Sequence, residues 1–215
     1  GMYCDQRGLI YPVDKCSAGF YCGGGSATRN PSYSGESCVD ATNASMNGMC
    51  PPGHYCPTGS SAPHRCPIGT YTAASGLESS SECSSCIAGY VCGKEALVQP
   101  TELCPKGFYC PNGTSEATKL CPPGTFCEEG SASPDSCTTG YYQTDEGQSS
   151  CVPCPQGFVC KVGTGTTSSI EPIECPRGHF CPPATSIAKQ FPCPNGTFNN
   201  KTMLVDVSQC QICLS

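Results

Sequence analysis

The sequence contains no tryptophan. Its Leu, Ile, Val and Phe residues stand singly, with neither a helical nor a strand hydrophobic period. That excludes an amphipathic helical bundle or an alternating sheet as the source of stability. Charge is also scarce: 17 acidic and 11 basic residues are thinly spread, giving a net charge of −6 and no basic cluster. A nucleic-acid partner and an electrostatic membrane anchor are therefore excluded. The chain has no apolar run of the roughly 20 residues that a membrane helix needs, so membrane attachment is expected only through parts outside this chain. The opening Gly-Met-Tyr-Cys has neither the charged nor the apolar region of a secretory signal, which predicts a processed product or a piece of a longer polypeptide.

Catalytic signatures are missing too. There is no Gly-x-Ser-x-Gly elbow, His-Glu-x-x-His pair, phosphate loop or EF-hand loop. Of the three histidines, His54 and His179 stand in a repeat position that Phe20 and Phe108 also fill, and His64 is isolated. All three read as structural. The acidic pairs Glu128-Glu129 and Asp145-Glu146 read as solvated loop residues. No enzyme activity, cofactor or resident metal is expected.

What is abundant is cysteine, glycine and proline: 23, 25 and 21 positions among 215 residues. Cysteine at this density points to disulfides that replace a core too small to hold the chain, each contributing roughly 2–4 kcal/mol. Such bridges persist in oxidising compartments, which places the protein in the secretory pathway, extracellular or at the cell surface. Four N-x-[ST] triplets, at Asn43, Asn112, Asn195 and Asn200, agree with that placement and mark candidate N-glycosylation sites.

The cysteines repeat. Ten segments begin Cys-x-x-Gly with an aromatic one or two residues later, starting at Cys16, Cys50, Cys66, Cys86, Cys104, Cys121, Cys137, Cys154, Cys175 and Cys193. Seven place a second cysteine six positions after the first, and five of those continue Cys-x-x-Gly-[ST]. The copy at Cys181 keeps that register with Ala184-Thr185, whereas the one at Cys92 departs from it. Three longer repeats delay the second cysteine, to Cys83, Cys151 and Cys210. Pro after Cys suits the first corner of a turn, with Gly expected at the fourth position of a type I turn. The aromatics read as local mini-cores, with 13 of the 17 Phe and Tyr residues at or beside this slot.

Many connectivities are open to so many cysteines. If each long repeat closes on itself, pairing Cys66 with Cys83, Cys137 with Cys151 and Cys193 with Cys210, each interval between them holds an even number of cysteines. Cys213 is then left over and is expected to bond beyond the chain end. Three Cys-x-x-Cys pairs have zinc-like spacing, but they are embedded in the same repeat as the other cysteines and read as disulfide partners.

The stretches Cys66 to Cys92 and Cys137 to Cys160 resemble the ephrin-receptor-like Cys-rich repeats, departing at Ile87, Val91, Thr138 and Val159, with Tyr90 one place early. More loosely, the arrangement is similar to tumour-necrosis-factor-receptor and growth-factor-receptor Cys-rich modules. The resemblance covers roughly residues 16–215 and implies architecture without catalytic residues, as in the large surface proteins of protists. The first 50 residues fit poorly, since Cys4 and Cys38 lack a following Gly-aromatic in register.

The expected fold is small and disulfide-rich, an elongated tandem array of short β-hairpin and turn modules with little helix. Its blocks are divergent repeats over 1–65, repeat blocks over 66–136 and 137–192, and the start of a further block over 193–215. The function this implies is an extracellular structural or interaction module: a stalk, matrix or filament component. A ligand-binding receptor or adhesion ectodomain is the alternative, and a self-assembling filament subunit a further one. Expected partners are other copies of the chain or other extracellular proteins, with N-linked glycans.

Overall fold

The computed structural model describes residues 1–23, 26–31, 47–160 and 171–213. Because Cys-x-x-Gly recurs where other proteins carry hydrophobic stripes, the interior is made of cystine. Cys16, Cys50, Cys66, Cys86, Cys104, Cys121, Cys154 and Cys175 are fully buried, whereas Leu77, Val159 and Leu204 are the only buried aliphatic side chains among the described residues. Ten disulfides are present. Seven join cysteines six apart, from Cys16–Cys22 to Cys175–Cys181. Cys66–Cys83, Cys137–Cys151 and Cys193–Cys210 close the long repeats.

Regular structure is correspondingly brief. The described residues form nine antiparallel two-stranded sheets, with strands of two or three residues. Their helical content is two 3-10 turns, Ser80–Glu82 and Val207–Gln209. In each hairpin the strand after a repeat glycine pairs with the strand just before the next repeat's cysteine. Thr125 thus faces Ser136, and Phe126 faces Asp135. The small-disulfide-rich class with short hairpins and almost no helix is what the structure shows.

The turn itself differs from the sequence expectation. In all ten repeats the N–H after the glycine donates to the carbonyl of the residue after the first cysteine, as in Thr125 to Pro122 at 3.1 Å and Phe158 to Pro155 at 3.2 Å. Proline is therefore the first residue of the turn, and glycine is the third, with φ near +80° at Gly124 and Gly157. Positive φ at the third position marks a type II turn, which requires glycine there. A type I turn places no such demand, so it would not explain why this glycine never varies among the ten repeats.

By packing, the chain divides into two compact bodies: Gly1–Leu103 with Pro111–Glu116, and Cys104–Cys110 with Ala117–Ser215. The first holds the repeats from Cys16 to Cys86, and the second those from Cys104 onward.

Candidate interaction interface

The repeats within each body are joined by a backbone ladder that no side-chain pattern announces. Between the repeats at Cys104 and Cys121, four hydrogen bonds recur as a set. Cys121 N–H donates to Gly107 at 2.9 Å, Gly107 N–H to Cys127 at 2.9 Å, Gly130 N–H to Cys104 at 2.8 Å, and Cys110 N–H to Ser131 at 3.0 Å. The same four positions bond at six further junctions, 16/50, 50/66, 66/86, 121/137, 154/175 and 175/193. Buried backbone groups must find partners. Here each repeat finds them on its neighbour, so stacking rather than a shared core joins consecutive repeats.

The ladder explains the Gly-[ST] motif. The glycine whose N–H reaches back to the preceding repeat's first cysteine has positive φ, as at Gly59, Gly113 and Gly130. The residue after it accepts from the preceding repeat's second cysteine, or from its replacement. When that residue is Ser or Thr, its hydroxyl also donates back across its own turn, as from Ser60 to Pro57 and Thr185 to Pro182, both at 2.6 Å. Thr185 is 1% exposed and Ser60 5%, so these hydroxyls are internal struts. In the long repeats Leu77 and Leu204 take the same position and bury an alkyl group there instead.

Ala96, Ala184 and Met203 are the only non-glycine residues with positive φ among those described, at 58°, 61° and 65°. All three occupy this glycine position: Ala96 donates to Cys66, Ala184 to Cys154 and Met203 to Cys175. The repeat around Cys92, which departs from Gly-[ST] in sequence, thus keeps the conformation through Ala96-Leu97. A further substitution carries chemistry that spacing did not reveal. Where the long repeats lack a near cysteine, Thr72, Gln143 and Asn199 stand in its place. Each hydrogen-bonds its own loop backbone, as when Gln143 Oε1 accepts from Asp145 N–H at 3.1 Å and Asn199 Oδ1 from Lys201 N–H at 2.8 Å. A side-chain hydrogen bond replaces a covalent staple.

The paired cysteines with zinc-like spacing go to separate bridges: Cys83 to Cys66 and Cys86 to Cys92, Cys151 to Cys137 and Cys154 to Cys160. Their sulfurs are committed and cannot act as thiolate ligands. His54 and His179 each donate Nδ1–H to the carbonyl two residues earlier, at 3.0 and 3.1 Å, and His64 stacks on Tyr55. The aromatics pack locally: Tyr55 lies on the Cys66, Leu77 and Cys83 cluster, and Phe180 stacks on Phe191.

Among the sequons, Asn112, Asn195 and Asn200 are exposed, Asn112 also accepting from Ala88 N–H at 2.8 Å. Asn43 lies outside the described residues, as does Cys38. Among the described residues Cys4 and Cys213 carry no disulfide, and both are exposed.

Residues 124–171 match the family described as tyrosine-protein kinase ephrin type A/B receptor-like. The chain carries an ephrin-receptor-like Cys-rich repeat array. The matched stretch begins at the turn glycine Gly124 and runs through the Cys137–Cys151 and Cys154–Cys160 bridges, one long and one short repeat. The ephrin-receptor-like Cys-rich family is non-catalytic, and its likeness together with the disulfides suggests an extracellular interaction module. No curated protein matches the chain. No helix among the described residues of the array is long and apolar enough to cross a membrane.

Proposed function

We propose that this array is an extracellular spacer, a stalk, matrix or filament element that sets distance or assembles surface material and performs no catalysis. The observation that carries the reading is the ladder. Each repeat commits both backbone edges to its neighbours, and the recurring positions are filled by cystine, glycine and internal hydroxyls rather than by converging reactive groups. Quasi-one-dimensional stacking of this kind adds length repeat by repeat without changing the local structure. Glycans at Asn112, Asn195 and Asn200 would coat exposed loops of such a spacer.

The test is to display the array on a cell surface with a terminal epitope and vary the number of repeats in whole steps. The epitope's height should change by a constant increment per repeat, with no saturable binding of extracellular proteins. Saturable binding that is lost on deleting one particular loop would instead establish the receptor reading.

A further inference from the structure

The ladder stops at the repeat beginning at Cys193, and the stopping point is visible in three ways. Cys213 N–H makes the first of the four bonds, to Gly196 at 3.0 Å. The other three groups, Gly196 N–H, the Cys193 carbonyl and Asn199 N–H, have no partner among the described residues. Gly196 is exposed and Cys193 half-buried, whereas the glycines and first cysteines of the repeats from Cys16 to Cys154 are buried. A β-carbon on Gly178 would meet nothing within 4 Å. At Gly157 one would meet the Met203 carbonyl at 2.9 Å, and at Gly69 the Gly113 carbonyl at 2.8 Å, each from two repeats further along.

The opposite end of the chain carries the complementary half. Gly1-Met2-Tyr3-Cys4 has the Gly-x-aromatic-Cys order of a repeat's second part. Gly1 O accepts from Cys16 N–H at 3.0 Å, and Cys4 N–H donates to Ser26 at 2.9 Å, as Cys22 N–H does to Ser60. Cys4 is thus the second cysteine of a repeat, which is why no Gly-aromatic follows it. Gly8, with φ +77° and open space around its Cα, lies four residues after Cys4, as Met203 lies four after Asn199. Leu9 then falls where Leu77 and Leu204 fall. Those two are 6% and 4% exposed, but Leu9 is 41% exposed.

We propose that two copies of this chain stack head to tail, with the Gly1–Leu9 face of one docking on the Cys193–Cys213 face of the other. The interface is the intramolecular ladder continued. Cys4 O receives Gly196 N–H, Gly8 N–H reaches Cys193 O, Leu9 O receives Asn199 N–H, and the Gly8 carbonyl seats over Gly178 while Leu9 becomes buried. The sulfurs complete the joint: residues 213–215 followed by residues 1–4 spell Cys-Leu-Ser-Gly-Met-Tyr-Cys, the spacing of the seven short bridges. Joining Cys213 to Cys4 of the second chain forms one S–S bond and releases two electrons and two protons. A low-molecular-weight disulfide such as oxidised glutathione takes them up and leaves as two thiols.

This inference rests on the spacer reading and gives it a direction of growth. The 215-residue chain, oxidatively folded and concentrated in a glutathione redox buffer, should give a non-reducing ladder in steps of 22.3 kDa. Peptide mapping should show a Cys4–Cys213 cross-link. Neither C4S nor C213S alone should extend by Cys4–Cys213 linkage, whereas a mixture of the two should link once and stop at the dimer. Leu9→Asp, which leaves every disulfide cysteine in place, should slow ladder formation at least ten-fold. Cys4 bonded within its own chain would overturn the proposal, as would Cys4–Cys4 and Cys213–Cys213 links forming as readily as Cys4–Cys213. Monomers alone would sink the stacking and leave the spacer reading standing. Saturable ligand binding alongside an intact Cys4–Cys213 ladder would sink only the spacer reading.

Discussion

A β-carbon on Gly69 would stand 2.8 Å from the carbonyl oxygen of Gly113. These glycines belong to repeats two apart, so each turn glycine is squeezed by the repeat after next as well as held at positive φ by its own turn. The same approach links Gly19 to Gly76 at 2.7 Å and Gly157 to Met203 at 2.9 Å, and it also brings Gly107 against Gly147. Three consecutive repeats therefore interlock through backbone alone.

Gly69→Ala and Gly113→Ala separate the two demands. Both positions have φ near +80°, where an L side chain costs about 1–2 kcal/mol, but a β-carbon at Gly113 meets nothing within 4 Å. Gly69→Ala should lower stability by at least about 1 kcal/mol more than Gly113→Ala, because main chain and not a movable side chain must give way. Denaturant unfolding with the disulfides intact measures the difference. Equal losses would mean that the close approach has no energetic weight.

The fold class and the two repeat types were legible in the sequence because cysteine spacing is covalent order: a seven-residue loop and a longer one look different on the page. The turn was misplaced by one residue because proline fits both the first and the second position, and only the sign of φ at glycine decides. Ala96 hid its role because alanine reaches positive φ only under a constraint, which here is its bond to Cys66. The membership of Cys4 was hidden because a search for Cys-x-x-Gly starts from the wrong half of that repeat. The ladder itself left no trace, since a peptide group bonds the same way whatever side chain it carries.

Ala184→Gly should stabilise the second body. Ala184 has φ 61° and donates to Cys154 in the position glycine usually fills. Relief of roughly 1–2 kcal/mol of left-handed strain is offset by about 0.5–1 kcal/mol of added freedom in the unfolded chain. The expected net gain is up to about 1 kcal/mol, read as a higher unfolding midpoint. A loss would show that the alanine methyl makes a compensating contact.

Asp206 caps the Val207–Gln209 turn, accepting from Ser208 N–H at 2.8 Å while Gln209 reaches back to Asp206 N–H. The Ser208 backbone N–H, followed by its hydroxyl, holds this carboxyl below the ordinary aspartate value. A depressed folded value means that the cap's contribution is complete above the unfolded value and disappears as pH falls through the folded one. Carboxyl chemical shifts should therefore place the Asp206 midpoint below that of an unstructured aspartate, with Ser208 amide protection lost over the same acidic window. A midpoint at or above the unstructured value would remove the cap from the account.

Thr185→Val tests whether the Ser and Thr of the Gly-[ST] motif work through their hydroxyls. Thr185 is almost fully buried, and its hydroxyl lies 2.6 Å from the Pro182 carbonyl, while its own carbonyl accepts from Cys160 N–H at 3.0 Å. Valine keeps the shape and the backbone bond but removes the donor, which leaves the Pro182 carbonyl short of a partner. A net hydrogen bond contributes about 0.5–1.5 kcal/mol, so a loss of about 1 kcal/mol is expected in denaturant unfolding with disulfides intact. Amide exchange should localise the change: Cys160 N–H, whose partner is the carbonyl of the same residue, should exchange faster in the variant than in the parent. If valine were neutral and Cys160 stayed protected, the position would require only bulk, as Leu77 and Leu204 supply it in the long repeats, and the hydroxyl strut would carry no part of the joint.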